Sequence, residues 1–397
     1  MEHTINKNSK LLTLGILSMS FLMSVSNAVS GTIPLMEEHF STVSQANIEL
    51  LIVIPTAGVL LGTVISGIVS NILGKKMTVL FGLFISLVFG LVPTMFYSYF
   101  SVLISRALFG LGMGVFTPLT VSYITDVFPE EKRNKLLGWR NSAGAIGDAI
   151  MLFIAGFLIN VSWQTTYFVF LFLLVPIIMI IFFVPKQLDN VAVVDGEVEI
   201  EEKIKTKPTT NRNVIKLAGL FLFICLFYSA ISLKLPSLVV NSGIGSASQV
   251  THIFSFLVLC SIISGLAFEK ISKIFGKYTV TIFEIVTAIS FVLIPFVHSI
   301  PMLLILVLIC GFSNGIINPA LTARMVAYSP KDSMNFTTSI IIIGINIGFL
   351  CAPYIFQFLN SLFHMDSAGV VILYSGIFYM ILSLYDLFVI KKDNLKL

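Results

Sequence analysis

What this chain can fold into is set first by a succession of apolar runs, each about the 20 residues that an α-helix needs to cross the hydrocarbon of a bilayer. They lie near 11–34, 48–70, 78–97, 101–125, 139–160 and 165–185, and again near 214–234, 249–268, 279–297, 302–326, 336–357 and 367–390. Lipid offers backbone N–H and C=O groups no partner, so each run must satisfy its own as a helix. The expectation is an all-α integral membrane protein with twelve transmembrane helices. With 56% hydrophobic and 11% charged residues, a soluble globular domain is excluded.

Orientation follows from the basic residues. If both termini are cytoplasmic, all of the 24 lysines and arginines except Arg106 and Lys234 fall on the inner side or at inner helix ends. Adding or removing one helix would scatter them over both faces. The net charge of +4 therefore reports topology in a cell (plasma) membrane and implies no nucleic-acid partner. Residues 1–28 have parts of a signal peptide, Lys7 and Lys10 before an apolar stretch and Ser26-Asn27-Ala28, but the apolar run continues to Pro34 and reads as an uncleaved first span. The four cysteines, Cys225, Cys260, Cys310 and Cys351, all fall inside expected spans and read as packing residues, neither disulfides nor metal ligands.

The one long polar stretch, 186–213, is acidic first and basic later, and reads as a cytoplasmic linker between an N-terminal half, 1–185, and a C-terminal half, 214–397. The halves repeat. "GLGMGVFTPLTVSYITDVFPEEKRN" (110–134) lies over "GFSNGIINPALTARMVAYSPKDSMN" (311–335) at an offset of 201, with Gly110 on Gly311, Gly114 on Gly315, Pro118 on Pro319, Pro129 on Pro330 and Asn134 on Asn335. The same offset carries Gly147 onto Gly348. Two pseudo-symmetric six-helix bundles, with a substrate site between them near the bilayer midplane, are the expectation for parallel repeats of this kind.

Three motifs resemble the major facilitator superfamily. "GIVSNILGKK" (67–76) is similar to its loop signature Gly-x-x-x-Asp-Arg-x-Gly-Arg/Lys-Arg/Lys: Gly67, Gly74, Lys75 and Lys76 match, while Asn71 replaces the usual aspartate and Ile72 the arginine. The glycines there suit a tight turn and a close helix approach. "RALFGLGMG" (106–114) resembles the span-four pattern of proton-coupled members, above all the drug/proton antiporters, through Arg106, Gly110, Gly112 and Gly114. "SWQTTYFVF" (162–170) resembles the start of span six. The resemblance implies the major facilitator fold, and transport by antiport or efflux of small molecules driven by a proton gradient. The exporter signature of span five begins at Gly147 but continues with Met151, Leu152, Ala155 and Gly156 where glycine, proline and paired glycines are usual. Export and uptake both stay open.

Asp148 stands roughly 13 Å from the inner end of span five, near mid-membrane. A carboxyl at that depth is costly and can exchange its proton as its surroundings wet and dry, as a proton carrier must; the other reading is a helix–helix hydrogen bond. Arg106 enters span four from the outer side as its proton-coupling partner or as a brace of that span. Glu284 reads as snorkelling to the inner interface or pairing with Lys273 or Lys277, and Glu49 and Lys234 as water-facing helix ends. His252 is a candidate for pH sensing. In the resembling family spans one, four, seven and ten line the cavity, which makes Asn27, Thr117, Tyr123, Tyr228, Ser232, Asn314 and Asn318 the substrate-contact candidates. Thr117-Pro118 and Asn318-Pro319 are candidate bending points. The 35 phenylalanines suit an apolar or cationic substrate, although most must face lipid or packing partners.

No nucleotide-binding loop, metal-ligand cluster or nucleophile–base constellation occurs, so an enzyme is not expected and no cofactor is needed. The sequence reads as a monomeric, proton-coupled exporter of small amphipathic or drug-like molecules, with a proton symporter or facilitator for a small polar solute as the alternative.

Overall fold

The computed structural model describes residues 10–22, 25–185, 209–330, 333–363 and 367–393. Most of the linker reading, 186–208, lies outside them. Among the described residues there is no strand, and helices cover all twelve apolar runs. The first run holds α1 (Lys10–Ser18), a 3-10 stretch (Val25–Thr32) and α2 (Ile33–His39), not the single helix that the sequence suggested. The cause is local: Ser26, Asn27, Ser30, Gly31 and Thr32 are weak helix formers, and the Thr32 hydroxyl donates to the Val29 carbonyl at 2.6 Å, a short-range bond that suits the tighter turn.

Next come α3 (Gln45–Leu73), α4 (Lys75–Leu91), α5 (Tyr99–Val127), α6 (Glu130–Leu158), a 3-10 stretch Thr165–Leu173 and α7 (Leu174–Phe183). They are followed by α8 (Arg212–Asn241), α9 (Ala247–Phe275), α10 (Thr279–Leu293), α11 (Ile300–Tyr328), α12 (Met334–Phe363) and α13 (Ala368–Asp393). Starts follow side-chain caps: Ser98, Asn211 and Ser246 each accept a backbone N–H three residues on, and Gln249 completes a capping box with Ser246. Among the described residues ten stretches are long and apolar enough to cross a membrane, and the longest of them, Ala247–Phe296, contains both α9 and α10. Gly276, at φ +55°, ends α9 there.

The described chain forms two compact units: Met1–Ala28, Leu51–Ile154 and Gln164–Ile204 make the first, and Val29–Leu50, Ala155–Trp163 and Lys205–Leu397 the second. Each repeats the same helix crossing. In the first unit a Cβ on Gly147 of α6 would lie 1.7 Å from the Phe21 carbonyl oxygen; in the second a Cβ on Gly348 of α12 would lie 2.4 Å from that of Leu222. Both pairs are related by the offset of 201 that the sequence shows. Gly110 and Gly114 likewise let α5 close on the backbone of Pro55 and Val59 in α3, as Gly311 and Gly315 let α11 close on Leu257 and Ser261 in α9. Small residues at these crossings let backbones meet, the main source of packing energy between helices in lipid. Because backbone cannot retreat as a side-chain tip can, Gly147→Val is expected to abolish the monodisperse peak of a fluorescent fusion on size exclusion, while Gly138→Val, which meets open space, leaves it intact.

Candidate functional site

Asp148 lies on α6, near the centre of the 24-residue apolar stretch Lys135–Leu158. It is half-buried and follows Gly147, the point at which α6 touches the carbonyl of Phe21. Asp148 thus stands one residue from a point where the fifth span closes on the backbone of the first.

Arg106 of α5 is fully buried, and its position is explained by a proline on another helix. Pro55 inside α3 has no N–H to give the carbonyl four residues before it, that of Leu51. Arg106 Nε donates to that carbonyl at 2.9 Å and Nη2 to the carbonyl of Ile52 at 3.3 Å. Its guanidinium carbon lies 5.6 Å from the ring centre of Phe109 and 6.0 Å from that of Phe170, within cation–π range, and Tyr167 acts on it electrostatically. The arginine braces α5 against the proline-opened turn of α3.

At the lysine-rich end of the first unit, Gly74 takes φ +80° and ψ +161°, a conformation nearly closed to residues with a Cβ, and turns α3 into α4. Gly67 corrects the expectation of a close approach: it is exposed, and a Cβ there would meet no atom within 4 Å. Asn71 is exposed as well. Lys75 pairs with Asp126 at the end of α5, whose carboxylate also accepts from Ser122 at 2.8 Å, while Lys76 donates to the Ile181 carbonyl at 3.0 Å. Asp126, overlooked in the sequence, supplies a carboxylate to a loop that carries asparagine at its own acidic position.

In the second unit the expectation for Glu49 and Lys234 is overturned. Neither faces water: they are 0% and 2% exposed and form an ion pair at 2.5 Å that ties the start of α3 to α8. One turn along α8 the Ser237 hydroxyl donates to both Glu37 carboxylate oxygens, at 3.2 and 3.1 Å, and Gln45 donates to Glu37 at 2.9 Å. His252 is half-buried against Gly156 and the ring of Phe157, and Ser248 donates to the Gly156 carbonyl at 2.5 Å. The reading of Glu284 as a snorkelling or lysine-paired residue is corrected too, since it is wholly buried.

The substrate-contact candidates fall in both units. Asn27 belongs to the first 3-10 stretch. Thr117 donates to the Met113 carbonyl at 2.7 Å, and Tyr123 is buried one and a half turns further on. Tyr228 donates to the Cys310 carbonyl at 3.5 Å, Ser232 to that of Ser229 at 3.0 Å, and Asn318 to the side chain of Asn314 at 3.0 Å. The last pair puts two amides side by side on α11, immediately before Pro319.

A Major Facilitator Superfamily model matches residues 14–286 and again 217–394. The chain belongs to the Major Facilitator Superfamily. It is 23% identical over 383 residues, covering 90% of its length and 93% of the relative's, to an uncharacterized MFS-type transporter of Methanocaldococcus jannaschii. Two solved structures share the fold: a POT family transporter bound to a thioalcohol-conjugated peptide, with TM-score 0.74, 12% identity and 95% and 96% of the two chains covered, and a D-xylose–proton symporter, with TM-score 0.68, 16% identity and 95% of each chain covered. This superfamily chain is a multi-pass membrane transporter and not an enzyme.

Proposed function

We propose that the chain is a proton-coupled exporter of small amphipathic or drug-like molecules, with Asp148 as its protonation switch. The observation that carries the reading is the placement of that carboxyl at mid-span, beside a helix crossing that has no room to spare. Protonation there changes a charge at the contact that any movement of span five against span one must disturb. Arg106, held by two backbone carbonyls, supplies a fixed positive charge in the same unit. The span-four resemblance to drug/proton antiporters supports export. Proton coupling is consistent with a solved neighbour that is itself a proton symporter.

In this reading the protein is a monomer of the cell membrane with both termini cytoplasmic, needs no cofactor, and draws on the proton gradient. Asn27, Thr117, Tyr123, Tyr228, Ser232, Asn314 and Asn318 offer the substrate hydroxyls and amides that orient it without fixing its charge. The second reading, uptake of a small polar solute with protons, is favoured by the adjoining amides of Asn314 and Asn318. Asp148→Asn tests the switch. With tetraphenylphosphonium and ethidium as probes, the variant is expected to keep gradient-free exchange across proteoliposomes. Accumulation driven by a pH gradient is expected to fall to the level of protein-free liposomes. Unchanged gradient-driven accumulation would remove Asp148 from the mechanism.

A further inference from the structure

The second unit contains an acid that neither reading uses. Glu284 of α10 is 0% exposed, both of its carboxyl oxygens are buried, and neither has a hydrogen-bond partner among the described residues. The cation that acts on it electrostatically is already engaged. Arg324 of α11, 4% exposed, pairs with Asp386 of α13 through Nη1, donates to the other Asp386 oxygen through Nη2 at 3.1 Å, and reaches the Lys277 carbonyl at 3.4 Å. Thr281, one turn before Glu284 on α10, donates to the same aspartate at 2.6 Å.

A carboxylate buried without a hydrogen bond loses its hydration, and the cation that acts on it, Arg324, is bonded to Asp386 instead. The neutral acid gives up far less hydration on burial than the carboxylate does. The groups that bear on it are Asp386 and Arg324 and Tyr379, which in turn lies within electrostatic reach of Tyr228, Cys225 and Cys310. Tyr379 donates to the Ile224 carbonyl of α8 at 3.1 Å. Asp386, Arg324 and Tyr379 thus act on Glu284 through space, with no hydrogen bond joining it to them among the described residues. Arg324 and Asp386 also line a cavity with Lys216, Tyr328 and Tyr385, on the lysine-rich side.

We propose that Glu284 is a second proton-binding site, neutral in this conformation, which exchanges its proton with water of the Arg324–Asp386 cavity. Loss of the proton to a cavity water leaves a carboxylate that competes with Asp386 for Arg324. Because Arg324 belongs to α11, the helix carrying Asn314 and Asn318, proton release there alters the hold of α11 on α13. The site stands independently of the reading of Asp148.

Infrared spectra of the purified protein test both parts. The wild type is expected to show a neutral-carboxyl C=O band that is absent in Glu284→Gln, retained in Asp148→Asn, and shifted to lower frequency on transfer to D2O. A spectrum unchanged by Glu284→Gln would mean that the group is ionised, and a band indifferent to D2O that it is a sealed structural acid; either overturns the proposal. Failure of Glu284→Gln to fold would overturn it too, since glutamine matches a protonated glutamic acid in shape and charge.

Discussion

Lys234→Met is expected to lower the apparent unfolding midpoint of the purified transporter by several degrees and to leave little protein in the membrane, whereas the double variant Glu49→Leu/Lys234→Met stays near the parent. Both side chains are almost inaccessible and 2.5 Å apart. Removing one partner of a buried pair strands the other charge, at a cost of about 3–5 kcal/mol, while replacing both with apolar groups of similar size is close to neutral. Glu37 sharpens the asymmetry, because it acts on Glu49 as a second negative charge once Lys234 is gone. The comparison is made by fluorescence-detected thermal unfolding in one detergent. A double variant as unstable as Lys234→Met would show that the pair is needed for something other than its mutual neutralisation.

The second large effect falls at Arg106. Arg106→Met leaves the Leu51 carbonyl, already deprived of its helical donor by Pro55, buried without a bond, at about 1–3 kcal/mol for that group. The cation–π contacts with Phe109 and Phe170 are lost as well. The mechanism makes a specific demand on a second site. In a Pro55→Ala background residue 55 has an N–H again, so the Leu51 carbonyl recovers a partner inside its own helix, and Arg106→Met is expected to cost roughly half as much there. Equal costs in both backgrounds would mean that Arg106 is not filling the proline's gap.

Much of this architecture is legible in the sequence because the constraint is coarse. Apolar runs of span length and an offset of 201 specify helices and repeat, and Gly147 on Phe21 recurs as Gly348 on Leu222 at that same offset. Where the sequence misleads, the deciding interaction links helices far apart in the chain. Glu49 and Lys234 each stand near the end of a span and read singly as solvated; only their pairing across 185 positions makes their burial tolerable. A signal was present in Lys234, which breaks the charge pattern and is followed at once by Leu235-Pro236 in apolar surroundings. Asp386 stands four residues from the end of the twelfth run, and its partner Arg324 reads in the sequence only as one of the basic residues that set topology. The loop motif shows the reverse error. Gly74 has the backbone reason that the motif supplies, while Gly67 has none in this structure. Arg106 was legible as a buried cation, but its attachment depends on a missing N–H at Pro55, and no local pattern joins the two.

The most direct test of proton-coupled export is the lumenal pH of proteoliposomes holding the purified protein and a trapped pH dye, read as tetraphenylphosphonium or ethidium is added outside, with Asp148→Asn in parallel. Lumenal alkalinisation that is lost in the variant is the expected result, each entering probe molecule being exchanged for a departing proton. Lumenal acidification on the same addition would contradict it, since protons would then travel with the substrate.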